Sequence, residues 1–155
     1  MNMSFPYRRM PPVIQIVYPH MGVKESKIWT LFLKNIGWDD IEYVDYAVRV
    51  GPAVVPSDIV EENIRRMAEA ITKLRIDAVV HRKSEIWLME VKEIANLVAI
   101  GQLISYEHYY IKEYKPMKQV KLGIVAEDYK RNIIEVCKRY GITIFLVRTD
   151  RVIIL

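Results

Sequence analysis

The chain has 155 residues, 52% of them apolar and 27% charged, a balance that belongs to folded globular domains and excludes disordered and fibrous classes. Its 23 Lys and Arg against 19 Asp and Glu leave a net charge of +4, which tolerates a polyanionic partner without requiring one. The single cysteine, Cys137, excludes an internal disulfide framework and a Cys-rich zinc site.

In chain order, "VIQIVYP" (Val13 to Pro19) has the pattern of a short strand or extended lead-in stopped by proline. From Lys24 to Ile36 the spacing of Ile28, Leu31, Phe32 and Ile36 predicts a helix ended by Gly37. "IEYVDYAVRVG" predicts a strand closing at Gly51-Pro52. Asp58 and Glu61 resemble a capping box, and Val60, Ile64, Met67, Ile71 and Leu74 trace one face of an inserted helix. A hairpin follows from Arg75 to Glu93, then a long helix from Asn96 to Tyr114 stopped by Pro116. "VKLGIVA" predicts a strand, "DYKRNIIEVCKRYG" a helix capped by Asp128 and ended by Gly141, and "ITIFLVR" a buried strand, with "RVIIL" returning as a last one. The fold class is therefore α/β, a central mixed sheet flanked by helices. With no linker or repeat, residues 1–155 form one domain: lead-in 1–21, core 22–147 and C-terminal strand 148–155.

The hairpin carries the chemistry. Asp77, Glu90 and Lys92 interrupt runs of Ile, Val, Leu, Met and Trp, where charge is costly unless something compensates it. Alternation puts Glu90 and Lys92 on one face, and Asp77, Val79 and His81 together likewise. A symmetric turn near Lys83-Ser84 opposes residues whose numbers sum to 167, so Arg82 faces Glu85 and Asp77 faces Glu90. Two carboxylates whose Cβ atoms lie about 4.5–5.5 Å apart repel unless a cation or proton lies between them. Such a pocket suits a hard divalent ion, Mg²⁺ or Mn²⁺. The same alternation of charge also describes a solvated sheet face.

At these residues the chain resembles the PD-(D/E)xK nuclease superfamily, with Asp77 in the first acidic position and "EVK" (Glu90, Val91, Lys92) as the second motif. Ile76 stands where that family carries a proline. "GQLISYEHYY" is similar to the Gln-x3-Tyr motif of the RecB-like branch, Gln102 and Tyr106 matching. Archaeal Holliday-junction resolvases of this fold place a further Glu on the first helix, where Glu25 lies; a solvated first-turn Glu favoured by the helix dipole is the alternative. The resemblance spans about Gly22 to Val147. It implies a restriction-endonuclease-like core and a Mg²⁺- or Mn²⁺-dependent endo- or exodeoxyribonuclease. Asp77, Glu90, the Val91 carbonyl and Glu25 would be metal ligands, and Lys92, Gln102 and Tyr106 would orient water or DNA.

With no helix-turn-helix or zinc finger, action on ends, flaps, single strands or junctions is expected over reading a long sequence. The alternative is a non-cleaving nucleic-acid-binding or assembly protein on the same scaffold, and a third reading is a basic α/β protein with an unrelated partner. A homodimer would supply paired cuts, with "VIIL" as one contributor. No apolar run reaches the ~20 residues of a membrane span, and "MNMSFPYRRMPP" lacks the apolar stretch of a secretory leader. The expected place is the cytoplasm, and scarce Asn, Gln and Cys point to a thermophile or a virus of one. His20, His81 and His108 are scattered, Cys137 falls on an apolar helix face, and Asp39, Asp40, Glu42 and Asp45 cluster near the first core strand, Asp45 able to face the site. Tyr106, Tyr109, Tyr110 and Tyr114 suit either base stacking or core packing.

Overall fold

A computed structural model describes residues 8–55, 58 and 61–155. The elements are β1 (Arg8–Met10), α1 (Val23–Asn35), β2 (Ile41–Val50), α2 (Glu62–Thr72), β3 (Leu74–Arg82), β4 (Glu85–Ala95), α3 (Leu97–Tyr114), β5 (Gln119–Tyr129), a 3₁₀ turn at Arg131–Ile133, α4 (Ile134–Arg139), β6 (Ile142–Val147) and β7 (Val152–Ile154). The strands form one sheet in sequence order. Pairing is antiparallel except for β4 with β5 and β5 with β6. The protein is thus α/β with a seven-stranded mixed sheet and, among the described residues, four α-helices. None of those helices is long and apolar enough to cross a membrane.

Two apolar layers sandwich the sheet. Ile28, Trp29 and Phe32 of α1 meet Val44, Tyr46, Val80 and Met89 on one face. Ala99, Leu103, Tyr106 and Tyr110 of α3 meet Val79, Leu88 and Ile124 on the other. The α3 helix starts where the Asn96 side chain accepts the Ala99 N–H (3.2 Å) and stops at Lys115, whose left-handed φ of 46° precedes Pro116. Its buried stripe excludes Val98, which is 63% exposed and does not share the inward face of Gln102 and Tyr106.

Several expectations are corrected. Of the two alternatives for Val13 to Pro19, the strand does not form; the edge partner of β2 is Arg8–Met10, from which Arg9 reaches the buried Asp45. Glu61, not Asp58, caps α2, and no side-chain cap bond forms there. Ile64 and Met67 of that helix are 49% and 68% exposed: β2 and β3 already pair directly, and α1 and α3 cover both faces, so the inserted helix has no sheet surface left. Val60 and the Ile71 side chain lie outside the described residues. Asp128 belongs to β5, its carboxylate accepting its neighbour's N–H (2.8 Å), so α4 begins later, after the 3₁₀ turn.

Candidate active site

The β3–β4 ladder has the expected register, Ala78↔Met89, Val79↔Leu88, Val80↔Trp87 and His81↔Ile86, and Arg82 bonds Glu85 across the turn at 3.1 Å. The registered pairs end at Ala78↔Met89, so Asp77 and Glu90 are the next opposed positions, at the point where the strands part. Beyond it β4 stays paired with β5 alone. Opposite Asp77 on β2 is Ala47, between the pairs Tyr46↔Ala78 and Val48↔Ile76. Ala47 has a φ of 55°, a left-handed conformation costing about 1–3 kcal/mol in a non-glycine residue. On either side of this row the two strands contribute to different core layers: Tyr46 and Ala78 pack towards α1, Val48 and Ile76 towards α3. Asp77 therefore occupies a kink in the sheet, which opens the cleft beside it.

The carboxylates are held from several elements. The Val91 N–H donates to Asp77 Oδ2 at 2.9 Å. The Tyr106 hydroxyl of α3 donates to Glu90 Oε2 at 3.0 Å, and Lys92 Nζ lies 3.4 Å from Glu90 Oε1. Glu90 is only 4% exposed. Burial, followed by the charge of Asp77, pushes its pKa up to about 8 against the pull of Lys92 and Tyr106. Burial also raises Asp77, with Glu25 adding to it, although the Val91 N–H, Arg75 and Lys92 oppose the shift. Tyr106 is raised by burial and by both acids, which keeps its hydroxyl protonated as a donor.

These groups open on a cavity of about 790 Å³. Gln102 and Glu25 also line it. Gln102 Oε1 is buried with no hydrogen-bond partner among the described residues, an acceptor awaiting a donor or a cation. Glu25 folds back towards its own helix start: a Cβ on Gly22 would sit 2.6 Å from Glu25 Oε2. Among the described residues no three His, Cys, Asp or Glu side chains gather closely enough to hold a metal ion. The donor set facing the cavity is the buried Glu90, the half-buried Asp77 and an orphan amide oxygen, which fits a hard cation in kind though not as a closed cage.

The other sequence candidates lie elsewhere. Asp45 does not face the cavity; it bonds His81 Nε2 (2.8 Å) and Arg9 Nε (2.8 Å). Asp40 pairs with Arg82 (2.8 Å) and Glu42 with Lys118 (2.7 Å). Cys137 is buried, with its thiol pKa raised by that burial. Tyr106 and Tyr110 are core residues, Tyr114 stacks on Tyr110 at 4.8 Å, and Tyr109 packs against Gly51. No ladder of exposed rings is left for bases among the described residues. Sequence reasoning missed the basic wall of the cavity, Arg49, Lys73 and Arg75, with His20 beside it. Arg75 was findable, two residues before Asp77 on one strand; Arg49 joins it only through the β2–β3 register. Comparisons with family models, curated proteins and solved structures give no match, so the functional reading stands on the residues alone.

Proposed function

We propose that this chain is a metal-dependent deoxyribonuclease with a restriction-endonuclease-like core, hydrolysing phosphodiester bonds at DNA ends, flaps, single strands or junctions. The observation that carries the reading is the opposed pair Asp77 and Glu90 at the parting of β3 and β4, both with raised pKa and Lys92 alongside. A buried and a half-buried acid in this position are incompletely compensated by their own protein. The order α1, three antiparallel strands, α3 and a parallel β5 supports the finer fold reading.

Asp77 and Glu90 would hold Mg²⁺ or Mn²⁺ together with the Val91 carbonyl, and Glu25 would add negative charge to the same cavity. When bound, such an ion supplies Lewis acidity towards a phosphate oxygen and lowers the pKa of a water. Tyr106 fixes one oxygen of Glu90, leaving the other turned towards Lys92. Lys92 then places a positive charge where negative charge grows on the phosphate. Gln102 offers its unpartnered oxygen to the attacking water. The short donor set, with Glu25 turned to Gly22, favours a second reading, a nucleic-acid-binding protein that does not cut.

Labelled single-stranded, duplex, flapped and four-way-junction DNA, incubated with Mg²⁺, Mn²⁺ or chelator, separates the two. Cutting that needs metal and is lost in Asp77→Ala and Glu90→Ala supports the nuclease. Salt-sensitive binding without cutting in either metal selects the second reading.

A further inference from the structure

Arg49 and Arg75 face one another directly across the antiparallel β2–β3 pair, and both line the cavity that holds Asp77 and Glu90. Like charges in that relation cost stability. Burial and the neighbouring Arg75 lower the Arg49 pKa accordingly. His20, at a left-handed φ of 60°, brings its Nδ1 to 3.4 Å from Arg75 Nη1 on the same wall. Its ring is held below the usual histidine range by partial burial and then by Arg75 and Arg49. Among the described residues, no carboxylate comes within ion-pair distance of Arg75.

The arginines do not serve merely as counter-ions for the two acids. Arg75 makes no ion pair with Asp77 or Glu90 among the described residues, although all three line the same cavity. Asp77 and Glu90 and the opposed Arg49 and Arg75 thus share one cavity of about 790 Å³, room for a ligand larger than a single ion. A DNA backbone matches this division: the scissile phosphate belongs at the carboxylate end, and a neighbouring phosphate meets guanidinium forks suited to its oxygens.

We propose that Arg49, Arg75 and His20 form an anion subsite that receives a second phosphate of the DNA, adjacent to the one at Asp77 and Glu90. This rests on the nuclease reading and deepens it. The phosphate is either an internal phosphodiester or a terminal phosphomonoester, and the subsite registers the strand against the cutting position.

The test is equilibrium binding in chelator, where nothing is cut, of a fluorescent single-stranded oligonucleotide with either a 5′-phosphate or a 5′-hydroxyl, across a salt series. Arg49→Gln and Arg75→Gln are each expected to weaken binding about 10-fold and to flatten the salt dependence by ~0.7 for each phosphate that is no longer neutralised. Arg75→Lys keeps the charge and so most of the slope, and serves where Arg75→Gln does not fold. Lys138→Gln, an exposed change on α4, leaves both quantities unchanged. If removing the 5′-phosphate weakens the wild type but not the double variant Arg49→Gln/Arg75→Gln, the ligand is a terminal phosphate; equal losses for both oligonucleotides identify an internal one. Unchanged affinity and slope in the arginine variants, or an equal change in Lys138→Gln, overturns the subsite. Binding lost in the arginine variants with no metal-dependent cutting by the wild type keeps the subsite and rejects the nuclease. Cutting with arginine variants that bind normally does the reverse.

Discussion

Two acidic sites in the same sheet, one fully buried and one opening on the cavity, meet opposite electrostatic fates. Asp45, 3% exposed, is driven up by burial, but hydrogen bonds and charge from His81 and Arg9 more than reverse the shift and its pKa falls. At the buried Glu90 and the partly buried Asp77, desolvation is joined by a neighbouring carboxylate, Asp77 for Glu90 and Glu25 for Asp77, and both rise. The first site is completed by its own chain: His81 stacks on Tyr43 at 4.2 Å, and Arg9 lies 3.8 Å over the same ring. At the second, Lys92 and Tyr106 do not offset the cost. Asp45 is neutralised by its own neighbours, whereas Asp77 and Glu90 are left under-compensated beside the cavity, and the proposed cation site rests on that difference.

The comparison breaks most sharply on activity. Asp77→Ala or Glu90→Ala is expected to lower metal-dependent cleavage by more than ~10³-fold, about 4 kcal/mol of lost transition-state stabilisation, with circular dichroism unchanged. Asp45→Ala should do the opposite. Removing it strands His81 and Arg9 and costs about 3 kcal/mol of stability, read as a lower denaturant midpoint, while the rate per folded molecule is retained.

The two sites also answer pH in opposite directions. The folded pKa of Glu90 is about 8 against an ordinary value of 4.5, so its contribution to stability is complete below the unfolded value and disappears as pH rises through 8. Metal-free protein should therefore lose on the order of 2–4 kcal/mol between pH 4.5 and 8.5, and Glu90→Gln should flatten that loss. Asp45 has a lowered folded pKa, so its contribution is present above the unfolded value and vanishes as pH falls through the folded one. Acid unfolding should begin earlier in any variant that weakens its pairing with Arg9. A Tm series with and without Asp45→Asn and Glu90→Gln separates the two slopes.

The smallest effect belongs to the link between α3 and the site. Tyr106→Phe removes one donor from Glu90 and is expected to cost about 1 kcal/mol or less in stability, with cleavage falling about 10-fold as that carboxylate loses its orientation.

Much of the second site was legible in the sequence because it depends on short-range geometry. Alternation, a two-residue turn and a run of apolar neighbours place Asp77 against Glu90, and a helical spacing of four aligns Gln102 with Tyr106 on the cavity wall. Other features depend on distant pairings that no local pattern encodes. Arg9 reaches Asp45 because β1 takes the sheet edge, a place that the apolar pattern of Val13 to Pro19 suggests for that segment instead. Arg49 meets Arg75 through a register closed by an inserted helix. The apolar stripe of α2 misleads for a related reason: periodicity reports a face, not whether a sheet remains free to receive it. Helical spacing puts Glu25 on the cavity wall, but its rotamer towards Gly22 is a local choice beyond sequence reasoning.

Calorimetric titration of Mn²⁺ into the wild type, Asp77→Asn and Glu90→Gln at pH 7, repeated in two buffers of different ionisation enthalpy, tests the shared-cation site most directly. With Glu90 still largely protonated at that pH, the account predicts saturable binding by the wild type with release of a proton, and loss of that binding in both variants. Binding of equal strength in all three proteins, or none in the wild type, would contradict it.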